Sequence, residues 1–554
     1  MRTLVILLTF CTATLFAEDN VTEIKGPLTE DGLIDFFKAV ETLTYPPGLA
    51  TDENGFRMFT RQFGVVGDAT RNGEYYRLQT YEKLKLDPNT PPTLECPQDT
   101  LSILVESYKA KGETYSWSRD GNTANPWTLE QLPMLADWIK EMDKPLDAIA
   151  EMIRKPVFLP PLVQPEEWLE PESPQHLFSI VLPNVQLCRY IALQFQARAM
   201  YRVGQGNIDD AIDDKLIIHR LGRQAASGGF IVSYLVGTAI EGVAMIMPID
   251  ANPEHPLTKE QIQRILTGLD ALPPRTSISV AYETERLSTL SVVQCLAVAH
   301  KRGDNRAFHA LWKDFVHNVP LPIVLPASFD WNIVYRRVNE IYDAMQKLPP
   351  KEKFHVLWKA VKKEFDWKKV ARTTLTRDGR AMYVADEVID MPVSRIVTFE
   401  EAMRRSECGD NLQRLVWAIK LYQLDNDNKL PVGNWVEKIA PYLGENPEQY
   451  FSCPSNPSPK GETTYALVQY GDNVPDSHET ILLVELKEPV PLDKAVITVD
   501  EVLEILKKYD REPGLNPAPH PGGMMTTRRS GAMVFLSLGV RESELSRLLG
   551  RESE

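Results

Sequence analysis

Pairs of adjacent prolines divide most of this chain into helix-sized segments. From Leu28 to about Met391 apolar residues recur at helical spacing, and the pattern is broken by proline pairs at 46–47, 91–92, 160–161, 273–274 and 349–350. Proline inside a helix removes a backbone hydrogen bond and clashes with the preceding turn, so each pair marks a boundary between helices. The pattern predicts a mainly α-helical bundle.

The clearest element within this bundle is a helical hairpin. Its two apolar stripes consist of Cys188, Ile191, Ala192, Phe195 and Ala199, then Ile208, Ala211, Ile212 and Leu216. Residues 204–207, Gly-Gln-Gly-Asn, supply the turn. The spacing is similar to that of a tetratricopeptide helical pair, although no second copy follows at a period of about 34 residues. One such hairpin indicates a feature of a helical body, not a repeat array.

A second apolar segment, residues 225–249, holds Glu241 as its single charge. Its four glycines, together with Ser233 and Thr238, make the segment only moderately hydrophobic. Small residues allow a helix to be packed on all sides, so we interpret the segment as a buried central helix instead of a membrane contact.

The chain contains more than one domain, because 554 residues exceed the roughly 250 to 300 at which a single hydrophobic core stops growing. From about Val393 one long helix is followed by strand-like runs at 463–468, 481–485 and 531–537. This order is typical of a small α+β unit. The sequence therefore predicts a multidomain protein with an N-terminal segment (1–17), a helical body (18–392, hereafter the body) and an α+β head (393–554, hereafter the head).

Residues 1–17 have the pattern of a cleaved signal peptide. Arg2 precedes a short apolar run that ends at Ala17, and an acidic segment begins at Glu18. The run is too short to span a bilayer as a stable anchor. We expect cleavage after Ala17 and release of an extracytoplasmic protein, periplasmic or secreted, without a stable membrane anchor.

The charge balance argues against binding to nucleic acid. The chain has a formal net charge of −15, which repels phosphate backbones. The one strongly basic run, between Lys351 and Arg372, also contains acidic residues and apolar residues at helical spacing. It is interpreted as the solvated face of an amphipathic helix.

Five cysteines remain after signal cleavage, so at least one is a free thiol. Cys188 and Cys295 lie in apolar helical patterns, which is typical of buried core thiols. Cys408 and Cys453 both fall within the head, and export would place them where disulfides persist. They are the predicted disulfide pair.

Oxygen-bearing side chains cluster where the long helix of the head ends. Asp425, Asp427 and Asn428 offer the closely spaced oxygen ligands that calcium requires, but the glycine and distal glutamate of an EF-hand are missing. A helix C-terminal turn explains the same residues. The turn is favoured over a calcium site, and no other cofactor is expected.

The last 150 residues carry an ordered set of motifs. Residues 401–412 (EAMRRSECGDNL) are followed in order by Leu430-Pro431, Trp435, 451–455 (FSCPS) and Leu483-Val484-Glu485. The closing motif is His520-Pro521-Gly522-Gly523, with Ser530-Gly531 after the nine residues that follow His520. Over about residues 400–550 the chain therefore resembles bacterial pseudopilin-like proteins whose C-terminal region is named for a histidine, nine residues and Asp-Gly.

The resemblance implies a pilin-like head with motif residues at His520, Gly522, Gly523, Ser530 and Gly531. Two departures limit what it implies. Ser530 stands where the family has aspartate, so the role of that carboxylate is missing. The hydrophobic prepilin helix that should precede the head is replaced by the body, which more loosely resembles uncharacterised exported bacterial proteins. The resemblance thus implies the fold of the head and not filament assembly.

The strongest catalytic motifs do not occur in the sequence. It contains no His-Glu-x-x-His, Gly-x-Ser-x-Gly or Gly-x-x-x-x-Gly-Lys. We expect a non-enzymatic structural or protein-interaction module with protein partners in the bacterial envelope. The alternative is an extracytoplasmic hydrolase with a site between body and head that uses carboxylates such as Glu283 and a histidine such as His300.

Overall fold

The structure of the protein is a computed structural model. It describes residues 26–46, 48–66, 69–97, 109, 122–170, 175–180, 182–315, 330–347, 376–470, 478–511 and 523–537. Residues 1–17, the predicted signal peptide, lie outside the described residues, as do the basic run at 351–372, His520 and Gly522. Within them the protein is mainly helical, with a small mixed sheet of five strands near the C-terminus.

The body consists of helices separated by the predicted proline-rich turns. The helices are α1 (Phe36–Thr44), α2 (Gly55–Phe63), α3 (Ala69–Lys83), α4 (Pro133–Ile153), α5 (Pro183–Gly204), α6 (Ile208–Ala226), α7 (Ile231–Met245), α8 (Lys259–Asp270), α9 (Ile278–Arg302), α10 (Asn305–Phe315) and α11 (Trp331–Lys347). The proline pairs at 91–92, 160–161 and 273–274 all fall between helices, as predicted. The pair at 349–350 is outside the described part of the chain.

Helices α5 and α6 form the predicted hairpin. They pack against each other, and the predicted stripe residues from Cys188 to Ile212 are at most 4% exposed. The apolar segment at 225–249 contains α7, which packs closely on α6. A Cβ atom added to Gly237 of α7 would lie 2.4 Å from the carbonyl oxygen of Gly222 of α6. This close approach explains Gly222 and Gly237. The predicted helix covers Ile231–Met245 of the segment and is mostly buried, although Val232 is 48% exposed.

A 49-residue helix, α12 (Arg377–Asp425), connects the body to the head. At 1.5 Å per residue it is about 73 Å long. Pro392 lies inside it, so the predicted boundary between residues 392 and 393 falls within one continuous helix. From Glu400 to Gln423, all of them described, no residue is exposed. This part of α12, hereafter the enclosed segment, is largely buried, although polar side chains such as Arg405, at 34% exposure, reach solvent.

The head surrounds the end of α12 with a sheet and two further helices. Its elements are α13 (Trp435–Ile439), β1 (Glu462–Gln469), β2 (Ile481–Pro491), β3 (Val496–Thr498), α14 (Val499–Arg511), β4 (Gly523–Arg528) and β5 (Met533–Ser537). The strand order is β3-β1-β2-β4-β5, with β1 and β3 parallel and the other pairs antiparallel. The predicted strands correspond to β1, β2 and β5, whereas β3 and β4 were not predicted.

The hydrophobic cores do not follow the division between body and head. The largest core contains Ile218 of α6 and Leu269 of α8 together with Leu412 of α12 and Leu483 of β2. A second core joins α1, α9, α10 and α11 to the first half of α12. A third lies on the other face of the sheet against α14. The inner face of the sheet and the body therefore share one core through α12.

Candidate functional site

Four buried charged side chains meet where α6, α7 and the segment after α8 contact the enclosed segment. Arg223 contacts Glu241 at 2.6 Å and Asp410 at 2.9 Å, and Arg275 contacts Glu241 at 2.5 Å and Asp410 at 2.6 Å. Their side chains are 2 to 18% exposed. Two arginines and two carboxylates balance in charge and close a ring, hereafter the junction network, between body and head.

The pKa values of these groups reflect burial and pairing. Burial raises the pKa of the Glu241 carboxyl above its ordinary value despite the two arginines. Burial alone would also raise the pKa of Asp410, but Arg275 and Arg223 outweigh it, and that pKa is lowered. Two further buried groups lie on α6, one and two turns before Arg223. Burial lowers the pKa of Lys215 to about 7. Burial and the nearby charge of Lys215 lower the pKa of His219 to about 3. His219 is therefore neutral in the folded protein.

A polar cavity of about 450 Å³ lies between body and head. Asp250 and Asn252 line it from the body, and Lys420, His478 and Arg529 line it from the head. The Lys420 amine donates to the Asp250 carboxylate, and both side chains are about 15% exposed. The ion pair between Lys420 and Asp250 therefore links head and body beside this cavity.

The Ser530-Gly531 motif forms the turn between β4 and β5 and rests on the same junction. The Asp250 amide donates to the Ser530 carbonyl oxygen at 3.4 Å. Gly531 has a φ of +77°, and a Cβ atom there would lie 2.2 Å from the ring of Trp417 in α12. Gly523 begins β4. The described members of the motif therefore belong to the sheet and its contact with α12 and the body.

Cys408 and Cys453, the predicted disulfide pair, lie next to each other in the core of the head. Both are at 0% exposure, and no disulfide joins them, so the predicted bridge is not present in the structure. Glu485 of β2, also at 0% exposure, completes the group, because its oxygen and the two sulfurs all lie within 4.8 Å of one another. Burial, followed by the contact with Cys453, raises the pKa of the Cys408 thiol. The structure thus brings the predicted pair together and adds a carboxyl group.

Asp425, Asp427 and Asn428 form the C-terminal turn of α12. Asp427 and Asn428 have positive φ angles of 52° and 59°, and the Asn428 amide donates to the Gln423 carbonyl oxygen. Both oxygens of Asp425 accept from the Lys259 amine at 2.8 Å, and one also accepts from the Tyr442 hydroxyl. In this arrangement Asp425 links the turn to α8 of the body.

Glu283 and His300, the residues named for the hydrolase alternative, do not converge. Both lie on α9, 17 residues apart, which is about 25 Å along the helix. Glu283 pairs with Arg286 at 2.7 Å, and His300 Nδ1 accepts from Trp331 Nε1 at 3.1 Å. Each side chain therefore has a local structural role.

The body contains a larger cavity of about 700 Å³ between the segment that leads into α1 and helices α9 and α10. Apolar side chains, among them Leu28 and Leu311, form part of its wall. Its charged lining is mostly acidic, with Glu30, Asp31, Asp35 and Asp304 against Arg302. Leu28, Glu30 and Asp31 are exposed at its edge. This body cavity combines an apolar wall with a negative rim.

The junction network and the position of Glu485 beside the two thiols were not predicted from the sequence. Glu241 was the single charge in an apolar segment, and Glu485 follows four apolar residues in β2. A lone carboxylate in an apolar run requires a partner, because burying an unpaired charge is costly. That signal was present in the sequence, but the identity of the partners was not.

Comparison with protein-family models, with curated proteins and with solved structures gives no match for this chain. Among the residues that the structure describes, no helix is both long and apolar enough to cross a membrane.

Proposed function

We propose that this protein is an exported component of the bacterial envelope that acts by binding a protein partner through its body. The observation that carries the proposal is the enclosed segment, whose residues from Glu400 to Gln423 are all buried or partly buried against the rest of the chain. The pseudopilin-like resemblance concerns the head that surrounds this helix. This helix has no exposed large apolar side chain between Glu400 and Gln423 that could pack into a filament.

The body cavity supports a specific kind of partner. Four carboxylates and one arginine line it beside apolar side chains. Charge complementarity favours a basic protein segment that also carries apolar residues, and like charges at an interface cost affinity. A cavity of this volume accommodates a few side chains, which suits the insertion of an extended or helical segment.

Capture from an envelope extract tests this proposal. The mature chain is used as bait, and its N-terminus is determined by mass spectrometry, with Glu18 expected as the first residue. The double charge reversal Glu30→Lys with Asp31→Lys should weaken capture of the identified partner about tenfold or more, and added salt should weaken it for the unmodified chain. The matched control is Glu445→Lys with Glu448→Lys, two exposed residues of the head.

Two outcomes would contradict the proposal. In one, the cavity variant and the control variant retain the same partners with equal affinity. In the other, the mature N-terminus is found at Met1 in the cytoplasm, so that the chain never meets the envelope.

The hydrolase alternative keeps one supporting observation, the polar cavity at the junction. It contains Lys420, His478 and Asp250, which are groups able to move protons. The purified chain can be screened with ester, amide and glycoside substrates. Turnover that Lys420→Met abolishes would favour the hydrolase over the partner-binding proposal.

A further inference from the structure

We propose that Cys408, Cys453 and Glu485 bind a zinc ion in the core of the head, where α12 meets the sheet. The three side chains come from three separate parts of the fold. Cys408 lies on α12, Cys453 lies in the loop before β1, and Glu485 lies on β2. The site is independent of the proposed partner binding.

The separation of the ligand atoms fits a metal ion. All three lie within 4.8 Å of one another. Tetrahedral zinc, with Zn–S bonds of about 2.3 Å and Zn–O bonds of about 2.0 to 2.2 Å, holds such atoms roughly 3.5 to 3.8 Å apart. A disulfide instead brings two sulfurs to about 2.05 Å, and no disulfide joins these cysteines.

Neighbouring groups hold each ligand in place. The Tyr465 hydroxyl donates to the Cys408 sulfur at 3.2 Å, and the Met525 amide donates to Glu485 Oε2 at 3.2 Å. The Cys453 amide donates to the Thr464 hydroxyl oxygen at 2.7 Å, which fixes the loop. Donors of this kind stabilise a thiolate or carboxylate and orient it toward a metal.

The chemistry of the group also favours a cation. Three acidic side chains at 0% exposure can be ionised together only if a positive charge compensates them. Zn²⁺ supplies two charges, and it displaces the protons of the two thiols and of the carboxyl group if that group is protonated. Binding should therefore become tighter as the pH rises. Three protein ligands leave the fourth tetrahedral position to a water molecule.

Metal analysis of the full mature chain tests the proposal. The chain is purified with a reducing agent, stripped with a chelator and supplied with Zn²⁺ alone. We expect one zinc per chain, and Co²⁺ in its place should produce thiolate-to-cobalt charge-transfer absorption. Cys408→Ser and Cys453→Ser should abolish binding, and Glu485→Gln should weaken it. Tyr465→Phe should weaken affinity about 10- to 100-fold while leaving stoichiometry unchanged.

The matched control is Cys188→Ser, which alters a buried thiol of α5 outside this group and should leave zinc binding unchanged. If a serine variant fails to fold, the cobalt spectrum of the unmodified chain still shows whether thiolates bind the metal. Three results would overturn the proposal: the reduced chain takes up no zinc, its cobalt form lacks thiolate absorption, or protein isolated from its own compartment contains a Cys408–Cys453 disulfide.

Discussion

Neutralising Asp410 removes the charge that both arginines of the junction network share. Its carboxylate accepts from Arg223 at 2.9 Å and from Arg275 at 2.6 Å, within the enclosed segment. Asp410→Asn keeps the size of the side chain and one acceptor oxygen but leaves two buried guanidinium groups with one carboxylate, Glu241. The substitution therefore changes charge with little change in packing.

The expected loss in stability follows from these contacts. A hydrogen bond between charged groups contributes about 1.5 to 3 kcal/mol, and removal of one partner from a buried ion pair costs about 3 to 5 kcal/mol. Because asparagine retains one acceptor, we expect a loss of about 3 kcal/mol at neutral pH. The pKa of Asp410 is lowered in the fold, so its contribution is present above the ordinary value of about 3.9 and is lost as the pH falls below it.

Hydrogen exchange as a function of denaturant measures this loss in body and head separately. Peptides from α6 and α7, which carry Arg223 and Glu241 of the network, should lose protection together with peptides from β2, because β2 shares one hydrophobic core with them. The control is Asp270→Asn, which alters a carboxylate that is 64% exposed and also pairs with an arginine of α12, Arg414. It should cost less than about 1 kcal/mol.

The reasoning would be refuted if Asp410→Asn and Asp270→Asn had the same small effect. It would also be refuted if the head peptides lost protection while α6 and α7 remained unchanged, since body and head would then be stabilised independently.

Two further substitutions probe buried groups near the junction. Lys215→Met should stabilise the protein, because burial lowers the pKa of Lys215 from 10.5 to about 7, which corresponds to at most about 5 kcal/mol. In chemical denaturation the gain should be largest below pH 7 and shrink as the pH rises toward 10.5, where the unfolded chain also loses this proton. Gly531→Ala should cost about 3 kcal/mol in the same assay, through its positive φ and the displaced ring of Trp417.

Each of these predictions has a matched control. Lys494→Met alters an exposed lysine of the head and should leave stability nearly unchanged between about pH 7 and 10. Gly433→Ala alters a glycine with a φ of +87° and nothing within 4 Å of the added carbon, so it should cost only about 1 to 2 kcal/mol. A pH-independent gain for Lys215→Met, or equal costs at the two glycines, would contradict the corresponding prediction.

Local sequence patterns predicted local structure. The α5–α6 hairpin, the helices between proline pairs and strands β1, β2 and β5 all follow from apolar spacing within about 10 to 20 residues. The full length of α12 does not follow from such spacing. Its enclosed segment is largely buried and includes buried polar side chains, which interrupt the apolar pattern. Pro392 resembles a boundary in the sequence, although it lies inside the helix.

Long-range partners could not be predicted from one sequence. Arg223 and Asp410 are 187 residues apart, and Cys408, Cys453 and Glu485 come from a helix, a loop and a strand. Cysteine placement within one module indicated that Cys408 and Cys453 lie close together, although no disulfide joins them. The third member of the group, Glu485, depends on how β2 packs against α12. Such groups are determined by tertiary packing alone.

We propose that burial of the enclosed segment keeps this protein from packing into filaments. Sedimentation velocity of the mature chain over a wide range of concentrations tests it directly. We expect a single species whose sedimentation coefficient corresponds to a monomer and does not change with protein concentration. Growth into long, polydisperse assemblies would contradict it.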